Sequence, residues 1–235
     1  SDGTFVSPEE FIPLFESSGF ITRFDMYIWK SVCKTLAAWQ DKGCKLVPIS
    51  INVSMIDITN IDVPQYLSML TEQYHISPEY LPVEITESVF AESNTIVKNT
   101  ITRFHKKGFY VLMDDFGSGY SSLNVLKDAN VDYLKLDMKF MQIDAKNKGK
   151  GIQILKSIVD MAHRLNLVII AEGVETKEQS EILKSMNCNY GQGFYFHRPM
   201  SVEAAEELIQ TIPIENFRAA HEQVSRIRNV CEALP

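Results

Sequence analysis

A chain of 235 residues with 45% apolar side chains can bury a large core; it is long for one ordinary domain and normal for one α/β barrel. Its 30 acidic and 23 basic residues, net −7, exclude a diffuse basic surface for a DNA or RNA polymer, but not a small phosphorylated ligand beside bound cations. No apolar run exceeds about five residues, where roughly 20 are needed to cross a bilayer, and no secretory leader is visible. Cys33, Cys44, Cys188 and Cys231 form no C-x-x-C pair, so reduced thiols and a cytoplasmic location are the expectation.

In chain order, the first strand-like run is Leu46-Val-Pro-Ile-Ser-Ile, ending at Asn52, and a helical pattern over 63–74 follows. Leu81-Pro-Val then ends in Glu84-Ile-Thr-Glu87, and a helix is predicted over 95–107, with Gly108 placed for a left-handed cap. Phe109-Tyr-Val-Leu-Met ends in Asp114-Asp115, and Tyr133-Leu ends in Lys135-Leu-Asp137. After a helical pattern over 153–165, Leu167-Val-Ile-Ile-Ala is continuously apolar, as a parallel strand buried on both faces should be, and it ends in Glu172-Gly-Val-Glu175. A helix over 177–186, a short run reaching Gln192-Gly, and a helix over 201–209 with Ser201 as its N-cap complete the series. Ile214, Phe217, Ala220, Val224, Ile227, Cys231 and Leu234 then lie on one helical stripe. The expected organisation is a barrel unit over 1–213 and a C-terminal amphipathic helix over 214–235, which either packs on the barrel or joins it to another copy or domain.

Asn52 and Glu84 are 32 residues apart, Glu84 and Asp114 are 30 apart, and Glu172 and Gln192 are 20 apart. A βαβ repeat takes roughly 30 residues. Acidic and amide groups at successive strand ends share a purpose only where those ends converge, which is the property of a parallel barrel with its site on the C-terminal face. The fold class is therefore α/β, a TIM-like (β/α)8 barrel. Only six site-bearing strands can be counted, so the first two are expected to be missing from this stretch of chain.

Glu84, Asp114, Asp115 and Glu172 are hard oxygen ligands and Asn52 is a neutral one; with no histidine or cysteine among them they suit Mg²⁺ or Mn²⁺ better than zinc. Adjacent residues of a regular strand point to opposite faces, so Asp114 and Asp115 can reach one site only where the strand ends and turns into Phe116-Gly-Ser-Gly. An acidic pair there suits two ions about 3.5–4 Å apart, the arrangement used in phosphodiester hydrolysis. Lys135 brings a positive charge among the carboxylates, either to hold or help deprotonate an attacking water, or as a plain salt bridge at the barrel mouth.

The same residues carry a resemblance. Ile51-Asn-Val-Ser54, Glu84-Ile-Thr-Glu87-Ser88, Asp114-Asp-Phe-Gly-Ser-Gly-Tyr-Ser-Ser122, Leu134-Lys-Leu-Asp137, Ala171-Glu-Gly-Val-Glu175-Thr176 and Gln192-Gly-Phe resemble the ordered motifs of the EAL-domain cyclic di-GMP phosphodiesterases, over about residues 6–199. The resemblance implies hydrolysis of cyclic di-GMP to 5′-pGpG in bacterial second-messenger signalling, with two Mg²⁺ or Mn²⁺ ions. It implies Asn52, Glu84, Asp114, Asp115 and Glu172 as metal ligands, with Lys135, Glu172 and Gln192 as the catalytic set. Lys135 would hold the water and Gln192 would orient water or substrate. Glu87 would hold the loop after Asp115, and Glu175 and Asp137 would stand behind the ligands. A homodimer is implied, and sensory or GGDEF-type domains are common companions in the family. Ser118 stands where the family usually has threonine and Met138 where it often has arginine.

The Glu-Ala-Leu motif that names the family, with its following Arg-Trp, is not found ahead of Asn52; Glu232-Ala-Leu234 has the letters at the far end of a helical stripe. The absent motif would supply a metal-binding glutamate and a phosphate-contacting arginine, so the activity of this stretch by itself is expected to be impaired. The alternative is a non-catalytic cyclic di-GMP receptor or protein-interaction domain. A barrel glycosidase with paired carboxylates is a third reading, which leaves Asn52, Lys135 and the acidic pair without a shared purpose.

Overall fold

The computed structural model describes residues 6–91, 95–117, 125–127, 129–137, 148–188 and 190–211; the stripe over 214–235 and the departures at Ser118 and Met138 lie outside these residues. Six strands form one sheet: β1 (Ile51–Asn52), β2 (Val83–Thr86), β3 (Val111–Phe116), β4 (Tyr133–Asp137), β5 (Val168–Glu172) and β6 (Tyr190–Gly191). They lie in sequence order and every neighbouring pair is parallel. An order without reversal is that of a winding barrel, in contrast to a doubly wound sheet, whose order turns back at a switch point. Among the described residues β1 and β6 have one strand partner each, so the sheet is open between them.

The five helices read from the sequence between 63 and 209 are present: α4 (Val63–Gln73), α6 (Thr95–Lys106), α7 (Lys148–Arg164), α8 (Lys177–Ser185) and α9 (Val202–Thr211). Gly108 closes α6 at φ +90°, and Ser201 Oγ accepts the Ala204 N–H at 3.3 Å at the start of α9. The structure adds α1 (Pro8–Ser17), α2 (Ile21–Asp41) and the short α3 (Met55–Asn60) and α5 (Glu87–Ala91). Helix α2 buries Trp29, Cys33 and Leu36, which follow one another at helical spacing and form its core-facing side.

The outward faces of the strands build the main core. Val83, Ile85, Val111, Met113, Leu134, Leu136 and Ile169 pack with Leu67, Phe104 and Val159 of the crossover helices. Alternation along each strand sends Glu84, Asp114, Lys135 and Glu172 to the other face. Two residues before Lys135 and Gln192 in the chain, Tyr133 and Tyr190 pack with Tyr110 and Val168 into a separate apolar floor.

Two expected strand limits differ. Of the run over 46–51 only the last residue lies in β1, although Ile49 N–H already bonds to the Tyr80 carbonyl at 3.0 Å. Pro48 has no N–H to give, and no second strand flanks this edge among the described residues. Conversely, β3 does not stop at the acidic pair but continues to Phe116.

Helix α2 also packs on α3. The Asp57 side chain is fully buried, and its Oδ2 accepts the Ser54 N–H at 2.9 Å and the Ser54 hydroxyl at 2.6 Å in a capping box. Its buried Oδ1 has no donor among the described residues, and the side chain neighbours Asp25 of α2. Burial, then the charge of Asp57 and a hydrogen bond to it, then the charge of Glu16, push the Asp25 carboxyl up from 3.8 to about 7. The folded chain thus holds a proton that the unfolded chain releases above pH 4. This stabilisation is complete below the unfolded value and is lost as pH rises through about 7. Asp25→Asn, whose amide donates without a proton to lose, should raise Tm at pH 8 by roughly 2–4 °C and flatten its slope between pH 5 and 8. Melts at pH 5, 6.5 and 8 with an unchanged slope would contradict the shared proton.

Candidate functional site

The C-terminal ends of β2 to β5 bring four charged side chains together. Lys135, 4% exposed on β4, places Nζ 2.7 Å from Glu84 Oε2 on β2, 3.0 Å from Asp114 Oδ1 on β3 and 2.8 Å from Glu172 Oε1 on β5. An ammonium has three N–H donors, and each has a carboxylate here. The salt-bridge reading of Lys135 is thus realised, with the ammonium among carboxylates of three other strands.

The acidic pair is reconciled by a bulge. Met113 pairs with Leu134 but Phe116 with Leu136, so β3 uses three steps where β4 uses two. Asp115 takes up the extra residue in the left-handed conformation, φ +56°, which aspartate tolerates better than most residues. Its N–H turns back onto Asp114 Oδ1 at 2.9 Å. Carboxylate oxygens of Asp114, Asp115 and Glu172 consequently lie within 4.8 Å of one another. The two side chains share a site because the strand is irregular, not because it has ended.

Glu84, Asp114 and Glu172 outnumber the one ammonium. Burial pulls Lys135 down, but the Glu84 charge, hydrogen bonds to Glu172 and Glu84, and the Asp114 charge outweigh it and hold the ammonium above its ordinary value. Glu172 is raised, by burial first; Lys135 counteracts this, while the charges of Asp114 and Glu84 add to it. Surplus negative charge on converging hard oxygens, with no histidine or cysteine in the set, fits a hard divalent cation.

The other expected residues lie at or just after the C-terminal ends of the strands. Asn52 ends β1 with an exposed side chain, in register with Glu84. Asp137 ends β4 half-buried, in register with Glu172 and on the Lys135 face. Gln192 is exposed, but its main chain is clamped: its N–H bonds to the Ala171 carbonyl at 2.8 Å and its carbonyl accepts from Val174 at 3.0 Å. That clamp needs Gly193, because a Cβ there would lie 2.2 Å from the Val174 carbonyl oxygen. Glu175 is exposed before α8, with its N–H on Gln179 Oε1 at 2.7 Å, and is not among the converging carboxylates. Glu87, 4% exposed at the start of α5, accepts the Gly117 N–H on Oε2 at 2.8 Å, and its buried Oε1 has no donor among the described residues.

Sequence reasoning passed over Trp29, whose indole N–H donates to the Asn52 carbonyl at 3.0 Å. The stripe of Trp29, Cys33 and Leu36 marks a helix, but nothing in it says which strand the helix covers. No helix among the described residues is long and apolar enough to cross a membrane.

Comparison with known proteins agrees with this architecture. The EAL domain model matches residues 1–199. The chain is 35% identical over 208 residues to the signaling protein YkoW of Bacillus subtilis, covering 88% of this chain and 26% of that protein. It is 34% identical over 204 residues to the probable cyclic di-GMP phosphodiesterase PdeB of Escherichia coli, covering 86% of this chain and 38% of that protein. It therefore spans well under half the length of these curated relatives. The structure of the PaMucR phosphodiesterase in complex with cyclic di-GMP superposes with a TM-score of 0.79 at 29% identity, covering 87% of this chain and 82% of that one. With parallel strands delivering their carboxylates to one mouth and the family model matching most of its length, the chain belongs to the EAL domain family.

Proposed function

We propose that this chain is a cyclic di-GMP phosphodiesterase domain that opens its substrate to linear 5′-pGpG. The observation that carries this reading is the convergence of Asp114, Asp115 and Glu172 beside a lysine that also holds Glu84, at the ends of successive parallel strands. The name of PdeB and the ligand in the PaMucR structure support the substrate.

Asn52, Glu84, Asp114, Asp115 and Glu172 would hold two Mg²⁺ or Mn²⁺ ions. When bound, such ions supply charge stabilisation for the attacking and leaving oxygens of an in-line displacement. Hydrolysis adds water across one phosphodiester: the P–O3′ bond breaks, hydroxide oxygen joins phosphorus, and the 3′ oxygen leaves with a proton. Lys135 Nζ lies 2.7–3.0 Å from Glu84, Asp114 and Glu172, and with those carboxylates engaged as ligands its ammonium would have an N–H with which to orient the water. Gln192 is assigned to orienting water or substrate, with Asp137 and Glu175 behind the ligands. The barrel unit is assigned to 1–213 and a helix to 214–235, in a cytoplasmic homodimer.

Glu87 acts through geometry, anchoring the segment that follows Asp115 at Gly117. Glu87→Ala should raise the Mn²⁺ concentration for half-maximal rate about tenfold, the range expected when a support behind the ligands is lost. An unchanged Mn²⁺ dependence would refute that role.

The deciding experiment incubates the protein with cyclic di-GMP and Mn²⁺ or Mg²⁺ and follows products by chromatography. Appearance of 5′-pGpG that chelator abolishes is expected. Calorimetric binding of cyclic di-GMP without turnover would replace the enzyme with a receptor.

A further inference from the structure

Asn52 sits on a short outer strand of the sheet. β1 comprises Ile51 and Asn52 and, among the described residues, pairs with β2 alone. The N–H groups of Ile51 and Val53 reach the Pro82 and Glu84 carbonyls, both at 2.9 Å. In a parallel ladder the main-chain groups of the residue between them point the other way, so the Asn52 carbonyl faces away from β2. A buried carbonyl so placed needs a donor of its own.

Here it takes Trp29. The indole N–H donates at 3.0 Å from a ring that is 1% exposed and lies 6.0 Å, centroid to centroid, from Tyr66 of α4. One turn earlier on α2, Asp25 faces Asp57, whose other oxygen holds Ser54, two residues beyond Asn52. Thr22, on the same helix, accepts Asn60 Nδ2 at 3.4 Å. Helix α2 therefore grips the β1–α3 turn at and after Asn52, and the contact on Asn52 itself is Trp29.

We propose that Trp29 is a positioning residue for the cation site, holding the main chain of Asn52 so that its amide is aimed at the ions. This rests on the assignment of Asn52 as a ligand. Loss of the indole N–H removes the side-chain tether on the Asn52 main chain, and the amide must then be ordered when a cation binds. The cost appears in cation affinity, whereas the carboxylates and Lys135, carried on β2 to β5, keep their geometry.

The test measures Mn²⁺ binding to the full protein by calorimetry, without substrate, for wild type, Trp29→Phe, Asn52→Ala and the double variant. Trp29→Phe should raise the Mn²⁺ dissociation constant roughly three- to tenfold, the factor for one lost hydrogen bond. Turnover at saturating Mn²⁺ should stay within about twofold of wild type on the same estimate. In the Asn52→Ala background the same substitution should leave Mn²⁺ affinity unchanged while still lowering Tm, because the coupling runs through one residue. If Trp29→Phe does not fold, 3-benzothienylalanine at position 29 keeps the ring size and replaces the N–H with sulfur. An equal loss of affinity in both backgrounds, or none in either, overturns the proposal, and so does an Asn52→Ala variant with wild-type Mn²⁺ affinity. Coupled Mn²⁺ binding without cyclic di-GMP turnover would support Trp29 and refute only the assigned reaction.

Discussion

Asp114→Asn is expected to lower cyclic di-GMP turnover by on the order of 10²–10³-fold, the scale seen when one preorganised electrostatic group is removed from an active site. Folding should hardly change. The amide has almost the shape of the carboxylate, and its oxygen can still accept the Asp115 N–H and face Lys135. Removing one of the three charges around Lys135 also relieves part of the surplus that raises Glu172. What the amide cannot do is supply negative charge to cations drawn by Asp114, Asp115 and Glu172 together. The measurement is turnover at saturating Mn²⁺ beside a thermal melt of the cation-free protein. Near-normal turnover would show that Asp114 is not a ligand on which the reaction depends.

Lys135→Met should produce the largest stability change. It leaves Glu84, Asp114 and Glu172 facing one another without their shared ammonium. Removing one partner from a buried ion pair costs about 3–5 kcal/mol, which for a chain of this size lowers Tm by roughly 10 °C. Two conditions should repair it: Mn²⁺, which returns positive charge to the same oxygens, and acidification, which neutralises them. Activity should stay low even when Mn²⁺ restores the melt, because no ammonium then orients the water. A cation-free variant that melts like wild type would mean that the carboxylates are satisfied without Lys135.

The wider family gives these substitutions a frame without deciding them. EAL-type barrels present their strand ends to one mouth, and the charge balance there bears on cation binding. In this chain one ammonium serves Glu84, Asp114 and Glu172, a balance that favours taking up cations.

The sequence by itself determined the parallel sheet and the residues at its mouth. Continuous apolar runs such as Leu167 to Ala171 can be buried on both faces only in a sheet covered by helices, and polar groups repeated at their ends pay for burial only by converging. Those are local patterns, legible residue by residue. The tertiary structure alone decided how the groups meet. Nothing local announces that β3 carries an extra residue at Asp115, because the bulge is defined by its register against β4. Nor could the sequence show that Lys135 spends its donors on residues of three other strands, or that Trp29 reaches the Asn52 carbonyl. Those contacts join residues 21 to 51 positions apart, and their energies depend on burial and on distances that only the folded chain sets.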